Sequence, residues 1–310
     1  MTPPGTTAIV QVTLARATWI PHAVGMLDDV ERARLARLRR AVDRDAYLTR
    51  HALARLTLGR LLGVAPAALR FTRDCPTCAA QHGKPHLSGV ASLPFSLSGT
   101  TSGVTEDPGL VGIAVVTGVV AGRSSHPGGV RGTARLPEVG LDLESLDAMS
   151  FGTAQDSPGS QDSPGAQDSR GARDDEGFDG VALHDLERAA LGAMPADARR
   201  SARATWWTRK EAVLKALGDG LRTDPATIAT TPPSPIDDPF RGAADPPRLL
   251  EPHRWPRLAL ADLPVDSAAG TEGAESAERE VKAAVCVVGV DALQVTISTV
   301  DLRDTPPARS

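Results

Sequence analysis

Cysteine is nearly missing from this chain, with three among 310 residues. That count excludes a disulfide-stapled scaffold and suits a reducing, cytoplasmic setting. No long apolar run is present either. The best, "GLVGIAVVTGVVAG" at 109–122, is too short and too glycine-rich for a membrane span. The start, "MTPPGTTAIVQVTLARATW", has no basic stretch followed by an apolar core, so no signal peptide is expected. A surplus of positive charge is lacking as well: Lys and Arg number 34 against 38 Asp and Glu, which argues against a nucleic-acid binder held by a bulk basic field. Aromatics are scarce, at 3%, while Ala, Arg, Gly and Pro abound, so a lone Arg carries little weight.

The chain is long enough for one large or two small domains with a proper core. After an extended segment at Ile9–Thr13, residues 27–62 read as helix, broken near Asp43, with Asp28 or Asp29 as cap and Gly63 as stop. Strands are expected at 93–100, at 111–118 and within "ARLPEVGLDLE". The hexapeptides "QDSPGS", "QDSPGA" and "QDSRGA" run in tandem from Gln155 to Ala172 with almost no apolar content. Such a tract cannot bury enough surface to offset its ordering entropy, so 148–178 reads as a disordered insertion. Helices are expected in "VALHDLERAALGAMP" and "RATWWTRKEAVLKALGDGL", the latter ending at Gly218 or Gly220, and strands in "PRLALADL", "VKAAVCVVGV" and "QVTISTVDL". The expected class is α+β in two halves: 1–118, a Gly, Ser and Pro-rich insertion at 119–136, and 137–305 interrupted by the repeats.

Two stretches carry chemistry. In "EVGLDLES" (138–145), Asp142 and Glu144 lie two residues apart on one face of a strand. Held side by side they repel, unless a cation or a proton sits between them; on an edge strand they are simply a solvated acidic face. In "WWTRKEAVLKALG", Trp207, Glu211 and Lys215 recur every four residues and share one helix face. That is either an ordinary surface ion pair or, given the Trp, the wall of a cleft. Elsewhere Cys75, Cys78 and His82 have the spacing of half a zinc site without an evident fourth ligand, or are free thiols in a loop.

"VGLDLE" followed by "WWTRKEAVLKALGDGL" resembles the paired signature of the Sfp-type 4'-phosphopantetheinyl transferases, (V/I)G(V/I)D(V/I)E and W(S/T)xKEAxxKxxGxGL. "VDRDAYLTRHALARLTLG" is similar to the family's basic helix and "HGKPHL" to its GKP loop. "PFSLSGT" stands where the family has FNxSHS. The resemblance implies a pseudo-two-fold pair of α+β halves with the active site between them. It implies transfer of the phosphopantetheine arm from coenzyme A to a serine of an apo carrier protein, with Mg2+ and release of 3',5'-ADP.

By motif position, Asp142, Glu144 and Glu211 would hold Mg2+, a hard cation that takes oxygen ligands. Lys215 would meet a pyrophosphate oxygen. Glu187, twenty residues before Trp207, would be the base, the alternative acceptor being a water on the metal. Arg34, Arg37 and Arg55 would face the 3'-phosphate, Lys84 would contact phosphate, and Ser98 with Thr100 would donate to phosphate oxygens. Arg199, Arg200 and Arg203 would face an acidic helix of the carrier. A cytoplasmic monomer that binds neither membrane nor nucleic acid is expected.

Gly99 stands where the family has a His on coenzyme A phosphate, and Ser96 stands for an Asn. Loss of one charge-assisted contact costs about 1.5 to 3 kcal/mol, roughly ten- to a hundredfold in affinity. His82 or His86 is the nearest candidate to compensate. These departures motivate a second expectation, a catalytically weak member that binds carrier domains or coenzyme A. A third is an unrelated Mg2+-dependent phosphodiesterase using the same carboxylates.

Overall fold

Alternation along the strands decides how the chain is layered. The computed structural model describes residues 5–75, 78, 81–89, 93–100, 109–121, 136–146, 177–233, 246–265 and 280–304. Strand β1 (Thr6–Arg16) pairs in one sheet with β5 (Leu110–Ala121), antiparallel, and with β9 (Ala292–Thr299), parallel; β4 (Phe95–Gly99) extends that sheet beyond β5. A second, antiparallel sheet has the order β6 (Val139–Ser145), β8 (Val281–Val288), β7 (Leu258–Asp262). A hairpin of β2 (Phe71–Asp74) and β3 (Gln81–Leu87) stands apart. The last strand thus joins the sheet of the first.

Side chains at i and i+2 share a face, and both sheets pack on both faces except along β9 and the end of β5, which stay exposed on one side. Val111, Ile113 and Val115 of β5 pack on Leu48, Leu53 and Leu58 of helix α2 (Ala41–Leu62). Val10, Val12 and Leu14 of β1 meet Val139, Leu141 and Leu143 of β6 and Val285 and Val287 of β8 between the two sheets. The far face of the second sheet, with Ala284, Cys286 and Leu260, packs on Ala212, Val213, Leu214 and Ala216 of helix α5 (Ala196–Leu217). The layers therefore run helix, sheet, sheet, helix, an α+β fold. No helix among the described residues is long and apolar enough to cross a membrane.

This layering puts Gly140, Asp142 and Glu144 against α5. The acidic face of β6 is therefore covered, not solvated, and Asp142 is 2% exposed. Gly140 sets the approach: a Cβ there would lie 1.9 Å from the Ala212 carbonyl oxygen and 2.5 Å from the Ala216 nitrogen. Strand and helix touch backbone to backbone, which only glycine permits.

The two sheets also meet edge to edge. Alternate N–H groups of an edge strand point away from its partner and need acceptors. Those of Leu141 and Leu143 on β6 find them on β4, at Ser96 Oγ (3.0 Å) and Ser98 Oγ (3.2 Å). Two serine hydroxyls thus stand in for a ladder at this seam.

Several boundaries differ from the sequence expectation. The first helical segment breaks at Leu38–Arg40, both of whose ends are extended, and not near Asp43. Asp43 instead sits in the first turn of α2, where the helix dipole favours an acid. Helix α1 (Asp29–Arg37) is capped by Asp28 in a reciprocal box with Glu31. The expected helix in "VALHDLERAALGAMP" is two: α3 (177–182) and α4 (Asp185–Gly192), parted by His184, whose ring nitrogen caps α4. Residues 177 and 178 are helical, so the insertion ends earlier than expected, and β5 runs to Ala121, past the expected boundary at 118. The tandem repeats and most of the Gly, Ser and Pro-rich stretch lie outside the described residues.

Gly140→Ala is expected to cost 3 kcal/mol or more, about the upper end for overpacking, because the blocking atoms are backbone. Gly112→Ala, whose new Cβ would meet only the ends of Leu14, Leu143 and Leu141 at 2.9–3.2 Å, is expected to cost clearly less. Denaturant unfolding of both variants checks the order.

Candidate active site

Three carboxylates and an ammonium converge where β6 lies on α5. Asp142 and Glu144 come from the strand, and Glu211 and Lys215 come from the helix one turn apart. Lys215 Nζ lies 2.5 Å from Asp142 Oδ1 and donates also to Ser98 Oγ at 3.2 Å. Asp142 Oδ2 is buried and has no hydrogen-bond partner, a costly state for a carboxylate oxygen. Burial raises the Glu144 carboxyl to about 7; Asp142 and Glu211 push the same way, while Lys215 and a hydrogen bond from Trp207 oppose them. Glu211 is raised too, by burial first and then by Asp142, against Lys215. The site therefore holds more negative charge than its own cation neutralises.

Trp207 is the cleft wall expected from its spacing, and it also holds Glu144. Its other side carries Phe178 of α3, with ring centroids 5.6 Å apart in an edge-to-face arrangement. Phe178 had been read as part of the insertion, where its only signal was being an aromatic in a polar tract.

The donors fit a hard divalent cation in type and charge, and the bare Asp142 Oδ2 is the atom that lacks a partner. Among the described residues, however, no group of three or more His, Cys, Asp or Glu side chains is gathered closely enough to ligate a metal. Here Lys215 is the cation on Asp142. Of the Cys75, Cys78 and His82 candidate, Cys75 and Cys78 form no disulfide, and the side chain of His82 lies outside what the structure describes.

Glu187 is not brought into this cluster. It is 1% exposed; one oxygen accepts from Thr230 N at 2.9 Å, and the other accepts from His184 N at 3.0 Å and pairs with Lys210 Nζ at 2.5 Å. Lys210, itself fully buried, also donates to Ala182 O and Pro225 O. Glu187 thus ties α4, α5 and the Thr230 segment together, and a carboxylate so committed is no general base. The expected catalytic role is corrected to a structural one. Lys210 went unremarked in the sequence, although its neighbour Glu211 did not.

Arg55 is corrected as well. Its five N–H donors are all engaged: Nε and Nη2 on Glu31, Nη2 also on Asp28, and Nη1 on the carbonyls of Pro66 and Leu69, with no exposure. It is a buried strut and leaves nothing for a phosphate. Arg34 and Arg37 are exposed on α1, so the expected basic trio is split. Arg50, one turn before Arg55, is half-buried beside Arg34 and Tyr47, with no hydrogen-bond or ion-pair partner among the described residues. Sequence reading passed over it because arginines crowd this helix.

The remaining expectations fare unequally. Lys84 Nζ donates to Glu138 Oε2 and to Val139 O, both at 2.9 Å, and so clamps the hairpin to the start of β6. Thr100 Oγ1 accepts from Leu110 N at 2.9 Å and closes the β4–β5 connection, with its own proton towards Leu110 O at 3.5 Å. Gly99 faces β5, and a Cβ there would meet Val111 Cγ1 at 3.1 Å and Leu110 O at 3.3 Å, so a histidine would need β5 to give. Of the proposed carrier-facing arginines, Arg203 is buried and bidentate on Asp179 (2.7 and 2.8 Å), Arg199 bonds Met194 O and Gly192 O, and only Arg200 is exposed, with Nη2 on Leu146 O.

The family model described as 4'-phosphopantetheinyl transferase superfamily matches residues 165–243, about a quarter of the chain. The matched stretch contains Glu187, Lys210, Glu211 and Lys215; the strand with Asp142 and Glu144 lies outside it. No curated protein matches the chain.

The Glu31 carboxyl resists burial, which would raise it: the hydrogen bond and charge of His51, the charge of Arg55 and the Asp28 N–H hold it at about 2. Its contribution to stability is therefore fully present above the usual value of 4.5 and lost as pH falls towards 2. Arg55→Ala, which leaves Glu31 facing one partner fewer, is expected to lose about 3–5 kcal/mol at pH 7. Glu31→Gln is expected to flatten the acid limb of the stability curve; urea titrations from pH 2 to 7 measure both. For Glu144 the sign is opposite, because its folded value is raised. Stability falls as pH climbs from 4.5 to about 7, and Glu144→Gln is expected to unfold later than the unsubstituted chain at pH 8 in chelator.

Proposed function

We propose that this chain is an Sfp-type 4'-phosphopantetheinyl transferase, which moves the phosphopantetheine arm of coenzyme A to a serine of an apo carrier protein and releases 3',5'-ADP. The observation that carries the reading is the convergence of Asp142, Glu144, Glu211 and Lys215 where β6 meets α5, with the helix half of that site inside the matched superfamily segment.

Asp142, Glu144 and Glu211 would hold Mg2+, which would supply positive charge against the charge that builds on the substrate phosphates. Lys215 contributes from this chain directly. Its ammonium has three donors, of which Asp142 and Ser98 take two, and at 32% side-chain exposure it can turn the third to a pyrophosphate oxygen. A charge-assisted bond to the departing phosphate assists cleavage. In the transfer the serine oxygen forms a bond to the nearer phosphorus and gives up its proton to a water molecule, while the anhydride bond breaks with its electron pair leaving on 3',5'-ADP. Trp207 and Phe178 wall the site and limit water around Glu144. Arg34, Arg37 and Arg50 supply positive charge for an anionic substrate on the α1–α2 side. Lys84, held beside β6 by Glu138 and Val139 O, would contact phosphate as the resemblance implies, and Glu187 acts by holding α5 in position.

The commitment of Arg55 to the chain supports a second reading, a weak enzyme that mainly binds carrier domains or coenzyme A. Intact-mass spectrometry of several apo carrier domains, incubated with the full chain, coenzyme A and Mg2+, distinguishes the two. A phosphopantetheine mass gain, absent with EDTA and with Asp142→Ala, is expected. No gain with coenzyme A binding retained in calorimetry would favour the weak binder, and neither gain nor binding would overturn both.

A further inference from the structure

Ser98 lies on β4, in the other sheet from the carboxylates, yet its hydroxyl is in their midst. A serine hydroxyl has one proton and two acceptor lone pairs. Both acceptor positions are filled by groups that can only donate: the Leu143 backbone N–H at 3.2 Å and the Lys215 ammonium at 3.2 Å. The proton then has one acceptor within reach, Asp142 Oδ1 at 3.0 Å. The direction of every bond is forced, and the hydroxyl has no donor left for a substrate phosphate. Its expected role as a phosphate contact is incompatible with this arrangement.

The consequence falls on Asp142. Ser98 and Lys215 together occupy Oδ1, and the carboxylate plane is fixed with Oδ2 buried and without a partner. We propose that Ser98 is a positioning residue, which reaches across the seam between the two sheets to lock Asp142 so that Oδ2 is the oxygen presented to a divalent cation. The inference rests on the cation-dependent reading of the site given above. Glu144 has a comparable partner in Trp207. Groups that orient a ligand through its other atom typically contribute ten- to a hundredfold in cation affinity.

Ser96 provides the control. It is buried on the same strand two residues earlier, and it accepts from Leu141 N in the same way without touching Asp142. Loss of either hydroxyl loosens the seam, but only loss of Ser98 releases the carboxylate.

Binding of Mg2+ alone, and of Mn2+ alone, to the full chain is measured by calorimetry without coenzyme A, beside thermal unfolding of each variant. Ser98→Ala is expected to weaken cation binding ten- to a hundredfold. Ser98→Cys, which keeps the side-chain shape with a somewhat larger atom and a much weaker donor, is expected to weaken it in the same direction and serves if the alanine variant does not fold. Ser96→Ala is expected to lower Tm and leave cation affinity unchanged. In transfer assays Ser98→Ala is expected to lower kcat with KM for coenzyme A unchanged. Unchanged cation affinity in both Ser98 variants would overturn the proposal while leaving the functional reading intact, as would equal weakening by Ser96→Ala. A rise in KM for coenzyme A with normal cation binding would return Ser98 to phosphate contact. Failure of the unsubstituted chain to bind either cation would overturn the functional reading and this proposal together.

Discussion

The contact of β6 with α5, backbone against backbone at Gly140, is the constraint on which the rest of the molecule depends. It brings a strand and a helix closer than any side chain at that position would allow, so the next two outward residues of the strand, Asp142 and Glu144, face the helix turn that carries Glu211 and Lys215. The cost is three carboxylates in a partly dry space. Burial and mutual repulsion raise Glu144 and Glu211, and the surroundings respond with Lys215, the Trp207 ring N–H and a serine from the other sheet. These respond only in part, and the residual negative charge is what a divalent cation would relieve.

Around this contact, buried polar residues serve as struts. Arg55 with Glu31, Lys210 with Glu187, Arg203 with Asp179 and Arg209 with Asp262 each join two elements through directional bonds. Removing one partner is costly for the fully buried Lys210–Glu187 pair, because the other remains buried and unpaired, whereas Asp262 is 43% exposed and is solvated without Arg209. Three of these pairs end on α5, which is therefore held along its length by α3, α4 and β7. A helix that supplies two of the four site groups has reason to be fixed this firmly.

Much was legible locally. Strands and helices came from period, caps and glycine stops: Gly63 and Gly218 are left-handed at the ends of α2 and α5, as their positions suggested. The grouping of Asp142, Glu144, Glu211 and Lys215 followed from strand and helix spacing together with a paired motif. What failed was charge accounting. Arg55, Arg203 and Glu187 looked like available charged groups, because nothing in a linear sequence reports that Glu31, Asp179 and Lys210 face them across 24 residues or fewer of intervening chain. Arg50 carried no signal for the converse reason, since its lack of a partner among the described residues is equally invisible.

The sequence by itself determined the elements, the α+β class and the residue types of the site, because periodicity, capping and motif spacing are properties of neighbours along the chain. Only the tertiary structure decided which charged groups are already spent. Burial and hydrogen-bond direction depend on groups that the fold brings together from distant positions, as β4 brings Ser98 to Asp142. A hydroxyl that the chain order presents as a phosphate donor has, once its two acceptor sites are filled from β6 and α5, a single place left for its proton.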